Sequence, residues 1–164
     1  MKQVLTIAFA AFLTGASGMA GFAQATDGSA LPAAEPETGP LGLPIFDAAD
    51  VVLADFVWTN RLVVVFADTP NDPSFGRQIE FILEREQAMI DRDVVLITDA
   101  DPAARTEARR NLRPRGFMLA IIDKDGEVKQ RRPSPRDGRE IMQTIDKFPS
   151  RRDEFLEQNP SGRQ

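Results

Sequence analysis

Unbroken apolar runs at three points along the chain mark strands buried on both faces. They are "RLVVVFAD" (61–68), "DVVLITDA" (93–100) and "FMLAIID" (117–123). Between the first two, Phe75, Ile79, Ile82, Leu83, Met89 and Ile90 return at helical spacing, with Glu80, Glu84, Arg85 and Glu86 largely on the other side. Asp72 before Pro73 is a helix start: an acceptor at the N-cap, then a residue with no N–H to satisfy. Asp101-Pro102 repeats it for a weaker helix over 102–112, carried by Ala104, Ala108 and Leu112 and ended by Pro114. Asp125-Gly126 predicts a hairpin turn, and "EVKQRR" (127–132) returns as a polar strand suited to a sheet edge. Ser134 to Asp137 and Ser150 to Asp153 both have capping-box form, with Asp in place of Glu. The first opens a helix with Ile141, Met142, Ile145 and Phe148 on one face, and the second a short helix carrying Phe155 and Leu156. Residues 46–61 read as a short helix or a strand, with Trp58 as cover for one edge of the core rather than a ligand platform. The expected fold class is α/β: a mixed sheet of about four strands flanked by helices on both faces.

Charge changes the reading of the N-terminus. Lys2 is followed by an uncharged stretch that ends in Ala23-Gln24-Ala25, the small-x-small form of a signal-peptidase site. The expected organisation is a signal peptide over 1–25, a flexible Pro- and Gly-rich leader over 26–44, a domain over 45–158 and a disordered tail over 159–164. No basic stop-transfer cluster follows, so the expected location is periplasmic or secreted, with no stable membrane insertion after cleavage. Mass spectrometry of the exported protein should find Thr26 at its N-terminus. An intact Met1 on membrane-bound material would contradict this.

The chain contains no cysteine and no histidine. That excludes disulfides and thiol–disulfide chemistry, because the thiolate is the nucleophile in such exchange. It also removes the usual zinc, copper and iron ligands. The remaining charge is uneven, with a net of −10 over residues 26–105 and +4 over 106–164. Such a split either draws an anionic partner to the basic end or lets the two halves attract each other within the fold. Nucleic acid is not expected as a partner of an exported acidic protein.

The order strand, helix, strand, helix, strand, hairpin, strand, helix resembles the thioredoxin-like arrangement. Arg115-Gly116-Phe117-Met118, the apolar strand after it and Lys124-Asp125-Gly126-Glu127 resemble the thioredoxin segment leading into its third strand and hairpin. In that resemblance the cis-proline of thioredoxin falls at Met118, and the redox cysteines would lie near Thr69, so the likeness is to the scaffold alone. A second set is more specific in its order and spacing. It comprises Trp58-x-x-Arg61, Asp91-Arg92-Asp93, Gly116-Phe117, Lys124-Asp125-Gly126-x-x-Lys129 and Ile145-Asp146-x-x-Pro149-x-Arg151-Arg152-x-Glu154. This set, spanning about residues 48–158, resembles a thioredoxin-like family of unknown function sometimes called the P-DUDES domain. That family occurs in exported bacterial proteins and in vertebrate matrix and secreted proteins, and the resemblance implies no catalytic residues. The same charged residues could instead pair simply to seat the last helix.

Two constellations remain as candidate chemistry. Asp68 and Asp99 end neighbouring strands, and Asp72 and Asp101 follow them, so the four carboxylates are expected near one sheet edge, the usual ligand position in open α/β folds. They could hold Ca²⁺ or Mg²⁺, the one cofactor considered, or be two N-caps with two solvated neighbours. Lys129, Arg131, Arg132, Arg136 and Arg139 could grip an anion or acidic partner, or simply guard a sheet edge against aggregation. The leading expectation is a non-redox binding or interaction module for an unknown protein or anionic envelope component. The alternative is a carboxylate-dependent divalent-metal-binding protein or hydrolase.

Overall fold

The computed structural model describes residues 36–158. Three of the expected strands follow the apolar runs: β3 (Arg61–Phe66), β4 (Val94–Asp99) and β5 (Met118–Ile122). The fourth is the polar β6 (Val128–Arg132), and two more precede them, β1 (Glu37–Thr38) and β2 (Pro44–Asp47). The sheet of the described residues therefore has six strands in the order β1-β2-β4-β3-β5-β6, where about four were expected. The β3 strand runs parallel to β4 and antiparallel to β5. The hairpin register shifts beside Lys129, a bulge that shortens the exposed β6 edge as a pairing template.

The extra strands correct the flexible-leader boundary of 26–44. Glu37 pairs with Ile45, Leu43 is fully buried, and the Leu41 and Leu43 N–H groups both donate to the buried Glu86 carboxylate at 2.8 and 2.9 Å. From Glu37 onward the leader is part of the domain. The expected signal peptide, the first part of the leader and the tail from 159 lie outside the described residues.

Alternation along β3 sends Leu62, Val64 and Phe66 to one face and Val63 and Val65 to the other. The second face is covered by α1 (Pro73–Leu83), α2 (Glu86–Ile90) and α4 (Gly138–Ile145), with Ile82, Met89, Ile141 and Ile145 buried against it. Among the described residues the first face is covered by a 3-10 turn at Leu53–Phe56 and the short α3 (Glu107–Leu112). Gly138 is a glycine for steric reasons: a Cβ there would lie 2.5 Å from the Phe81 carbonyl oxygen of α1. Among the described residues no helix is long and apolar enough to cross a membrane.

Local expectations were met unevenly. Asp72 does cap α1, accepting from the Ser74 N–H at 2.7 Å, and Asp101 accepts from Ala103 N–H at 2.8 Å. The helix expected over 102–112 is a 3-10 turn followed by α3, whose cap is Thr106. Asp137, not Ser134, caps α4. Trp58 does not cover the core: it is 77% exposed, with φ at 70° and its N–H donating to the Lys124 carbonyl.

The last helix, α5 (Pro149–Gln158), has no buried residue, so apolar burial does not hold it in place. Ions do. Arg61 is fully buried at the start of β3; its Nε meets Asp123 at 3.1 Å, and its Nη groups donate to Glu154 at 2.9 and 3.2 Å and to Ser150 at 2.7 Å. Ser150, read as a cap, donates its hydroxyl to Asp123 at 2.6 Å instead. Lys124 bridges Asp93 and Glu154, both at 2.8 Å, and Arg151 adds a third cation to Glu154 at 3.2 Å. Burial pushes the Glu154 carboxyl up, but hydrogen bonds from Arg61, Lys124 and Arg151 outweigh it and hold it down at about 2, from an ordinary 4.5. Burial alone would lower Lys124, yet hydrogen bonds to Asp93 and Glu154 raise it above 10.5.

Candidate functional site

The parallel pairing of β3 and β4 brings their C-terminal ends together, with Phe66 opposite Asp99. The four expected carboxylates do not converge there. Asp99 is buried, accepting from Thr106 Oγ1 at 2.6 Å and from Arg109 Nε at 2.7 Å. Asp72 and Asp101 spend an oxygen each on their helix starts, and Asp68, 61% exposed at its side chain, stands 4.0 Å from Arg109. Among the described residues no group of three or more His, Cys, Asp or Glu is gathered as a metal ion would need. The cation paired with Asp99 is the Arg109 guanidinium. It also donates to the Ala67 carbonyl and, at 3.1 Å, to the Asp99 carbonyl, and lies 5.6 Å over the Phe66 ring. Sequence reasoning overlooked Arg109; the available signal was a buried Asp99 needing a countercharge, with Arg109 and Arg110 following on the next helix.

The five basic residues likewise separate. Lys129 is clasped by Asp125 at 2.6 Å and Glu127 at 2.8 Å on the hairpin. These hydrogen bonds, Asp125's first, raise the Lys129 ammonium well above its ordinary value. Arg136 and Arg139 sit by the start of α4, Arg136 within 3.5 Å of Glu140 and Arg139 exposed. Arg131 and Arg132 remain at the free end of β6, Arg131 donating to the Leu112 carbonyl at 3.1 Å.

Antiparallel pairing gives those two arginines new neighbours. Leu119 of β5 lies opposite Arg132, so the segment entering β5 passes beside the end of β6. That segment carries Arg113, which ends α3 in the left-handed region with φ at 49°, and Arg115. The result is a groove of about 250 Å³ lined by Arg113, Arg115, Arg131 and Arg132, with Phe117, Met118 and Pro133 as apolar walls. Among the described residues no acidic side chain lines it. Four arginines lining one concavity raise the local concentration of anions. Fork-shaped donors also suit carboxylate or phosphate oxygens. The groove opens at the sheet edge where β3 and β4 end, since Met118 pairs with Phe66. Arg113 and Arg115 were missed as site residues, although their spacing around Pro114 was a visible signal.

Comparison with known proteins gives a family and a fold. The family model described as "Domain of unknown function (DUF4174)" matches residues 52–154. No curated protein sequence matches the chain. Among solved structures, the 2-Cys peroxiredoxin of Plasmodium vivax is similar in fold, with a TM-score of 0.50 at 14% identity over 58% of this chain and 81% of that one. Desulfothioredoxin from Desulfovibrio vulgaris Hildenborough gives a TM-score of 0.48 at 20% identity, over 63% of this chain and 97% of that one. At such identities the likeness concerns the fold, which is thioredoxin-like.

Proposed function

Since the chain belongs to the DUF4174 family of domains of unknown function, we propose from its geometry that it is a non-redox binding module that receives an anionic group of a partner. The observation that carries this reading is the groove of Arg113, Arg115, Arg131 and Arg132, which has apolar walls and, among the described residues, no acid. The absence of cysteine removes the thiol of a redox scaffold, while the edge where α/β folds bind ligands keeps an open, charged concavity. The reading includes export after cleavage at Ala25, with a partner among envelope proteins or anionic envelope components. It also places the domain with the P-DUDES type, on the Trp58-x-x-Arg61 and Lys124-Asp125-Gly126 motifs.

The test is a fluorescence-anisotropy titration of the mature protein with a labelled Glu-rich peptide. Binding should weaken as salt rises, because exposed charges are screened over about 10 Å at 0.1 M. Arg113→Glu with Arg115→Glu should weaken it by about tenfold or more, the loss expected when a hydrogen-bonded charge pair worth roughly 1.5–3 kcal/mol is removed. Lys129→Glu should leave it unchanged, because Asp125 and Glu127 already neutralise that ammonium. Equal losses from both variants would show that net charge, not the groove, attracts the peptide, and would overturn the reading.

A further inference from the structure

β6 stands last in the strand order, so one of its edges has no partner strand among the described residues. No backbone hydrogen bond from outside the sheet reaches Val128–Arg132 there either. Such an edge is a template on which an extended chain can pair. The bulge beside Lys129 limits the regular part to Gln130–Arg132, a length of about 10 Å at roughly 3.3 Å per residue.

This edge is basic on both faces of the sheet. Residues directly opposite each other in an antiparallel pair share a face. Arg131 lies opposite Ala120, in the core cluster on the α3 side, and donates to the Leu112 carbonyl of α3. Gln130 and Arg132 lie opposite Ile121 and Leu119, in the cluster on the α4 side. On the α3 side the edge borders the arginine groove. On the α4 side is a second concavity of about 220 Å³, with Arg132, Arg136 and Lys147 as its cations and Glu140 as its one acid among the described residues. Glu140 stands 3.5 Å from Arg136, whose buried Nε has no acceptor, and Lys147 is exposed. Arg132 lines both concavities.

We infer that the anionic partner is an extended acidic segment that adds to the free edge of β6 as a further strand, its successive acids going to the two concavities in turn. The inference rests on the arginine groove as an anion site and names what occupies it. In strand addition the main-chain hydrogen bonds supply affinity and alternate side chains supply specificity. Side chains alternate along a strand, so an acid beside Arg131 falls on the α3 side and the acids before and after it fall on the α4 side. A run of consecutive acids therefore serves both faces, which a lone anion does not. A second copy of this chain suits the edge poorly. Two β6 strands side by side would bring Arg131 and Arg132 near their own counterparts, and like charges across a strand pair are destabilising.

Two labelled peptides of one sequence, a run of glutamates flanked by threonine and valine, test this against the mature protein. One is unmodified; the other is N-methylated at every glutamate, which keeps its charge and removes the main-chain donors. The unmodified peptide should bind and should slow amide exchange within Gln130–Arg132 by about tenfold or more. N-methylation should weaken binding at least about fivefold, the loss expected from two or more backbone hydrogen bonds. Lys147→Glu, at an exposed position on the α4 side, should weaken the unmodified peptide about twofold or more. Equal binding of the two peptides with unchanged exchange at these amides would overturn the added strand; if binding still depended on Arg113 and Arg115, the groove reading would stand without it. No binding of either peptide would overturn both. Unchanged binding by Lys147→Glu would show that the acids use one face, against a strand that serves two. Sedimentation of the protein alone as a dimer that the peptide dissociates would give the edge to a second copy and overturn the assignment.

Discussion

Arg61→Ala should destabilise the domain by about 3–5 kcal/mol, the usual cost of removing one partner from a buried ion pair. Calorimetry should show this as a fall of roughly 10–20 °C in Tm for a domain of this size. Arg61 is fully buried, and its loss strands Asp123, whose side chain is 1% exposed. It also unfastens Glu154 and Ser150, so α5, with no buried residue of its own, loses its main attachment. Hydrogen exchange of residues 149–158 should therefore rise more than that of β3 to β5. Combining Arg61→Met with Asp123→Asn should cost less than the two changes summed, because the stranded charge is removed with its partner. A single variant that melts within about 2 °C of the native protein would mean the clasp contributes little. The same clasp sets a pH dependence at both ends. The Glu154 carboxyl is held at about 2 against an ordinary 4.5, so its contribution is complete above 4.5 and is lost as pH falls toward 2. Lys124 is raised, so its contribution is complete below 10.5 and is lost as pH climbs through the higher folded value.

Arg109→Ala should have an effect of similar size at the opposite sheet edge. It removes the countercharge of Asp99, whose side chain is 1% exposed, leaving Thr106 as its one side-chain donor. It also deprives the Ala67 carbonyl of a donor at the end of β3 and exposes the Phe66 ring. A cost of about 3–5 kcal/mol is expected by the same argument, read as a lower urea midpoint with an unchanged slope. Arg109→Lys should recover only part of it, since an ammonium cannot span Asp99 Oδ1 and the two carbonyls with a planar fork. Full recovery by lysine would show that charge alone matters. A wild-type midpoint in the alanine variant would show that Asp99 is tolerated without its partner.

The elements that were legible are those whose information is local. Continuous runs such as Leu62 to Phe66 announce a strand because both faces must be apolar, and Asp72-Pro73 announces a helix start through its own backbone. β1 and β2 escaped because they are short and lie in a Pro- and Gly-rich stretch; pairing with β4 and the Glu86 contacts hold them, not their own pattern. The Ser150 box misled for a related reason. A hydroxyl that can cap a helix can also bond Asp123, and the tertiary partner won. Trp58 looked like core on hydrophobicity alone, yet its backbone, in the left-handed region and tied to Lys124, turns the indole outward.

Candidate chemistry divides along the same line. Arg131 and Arg132 could be picked out from sequence, because a polar strand after a hairpin belongs at an edge. Arg113 and Arg115 join them only through the pairing of Leu119 with Arg132. Asp99 could be placed at a strand end, but its role as Arg109's partner rather than a metal ligand depended on where α3 packs. By itself, then, the sequence settled the order of the strands from β3 onward, the absence of thiol chemistry and the positions of the charges along the chain. Tertiary structure alone decided which charges meet. Hydrophobic periodicity is written residue by residue at a spacing the backbone imposes, whereas attraction between charges carries no address. Arg61 finds Glu154 across 93 positions only because folding places β3 and α5 side by side.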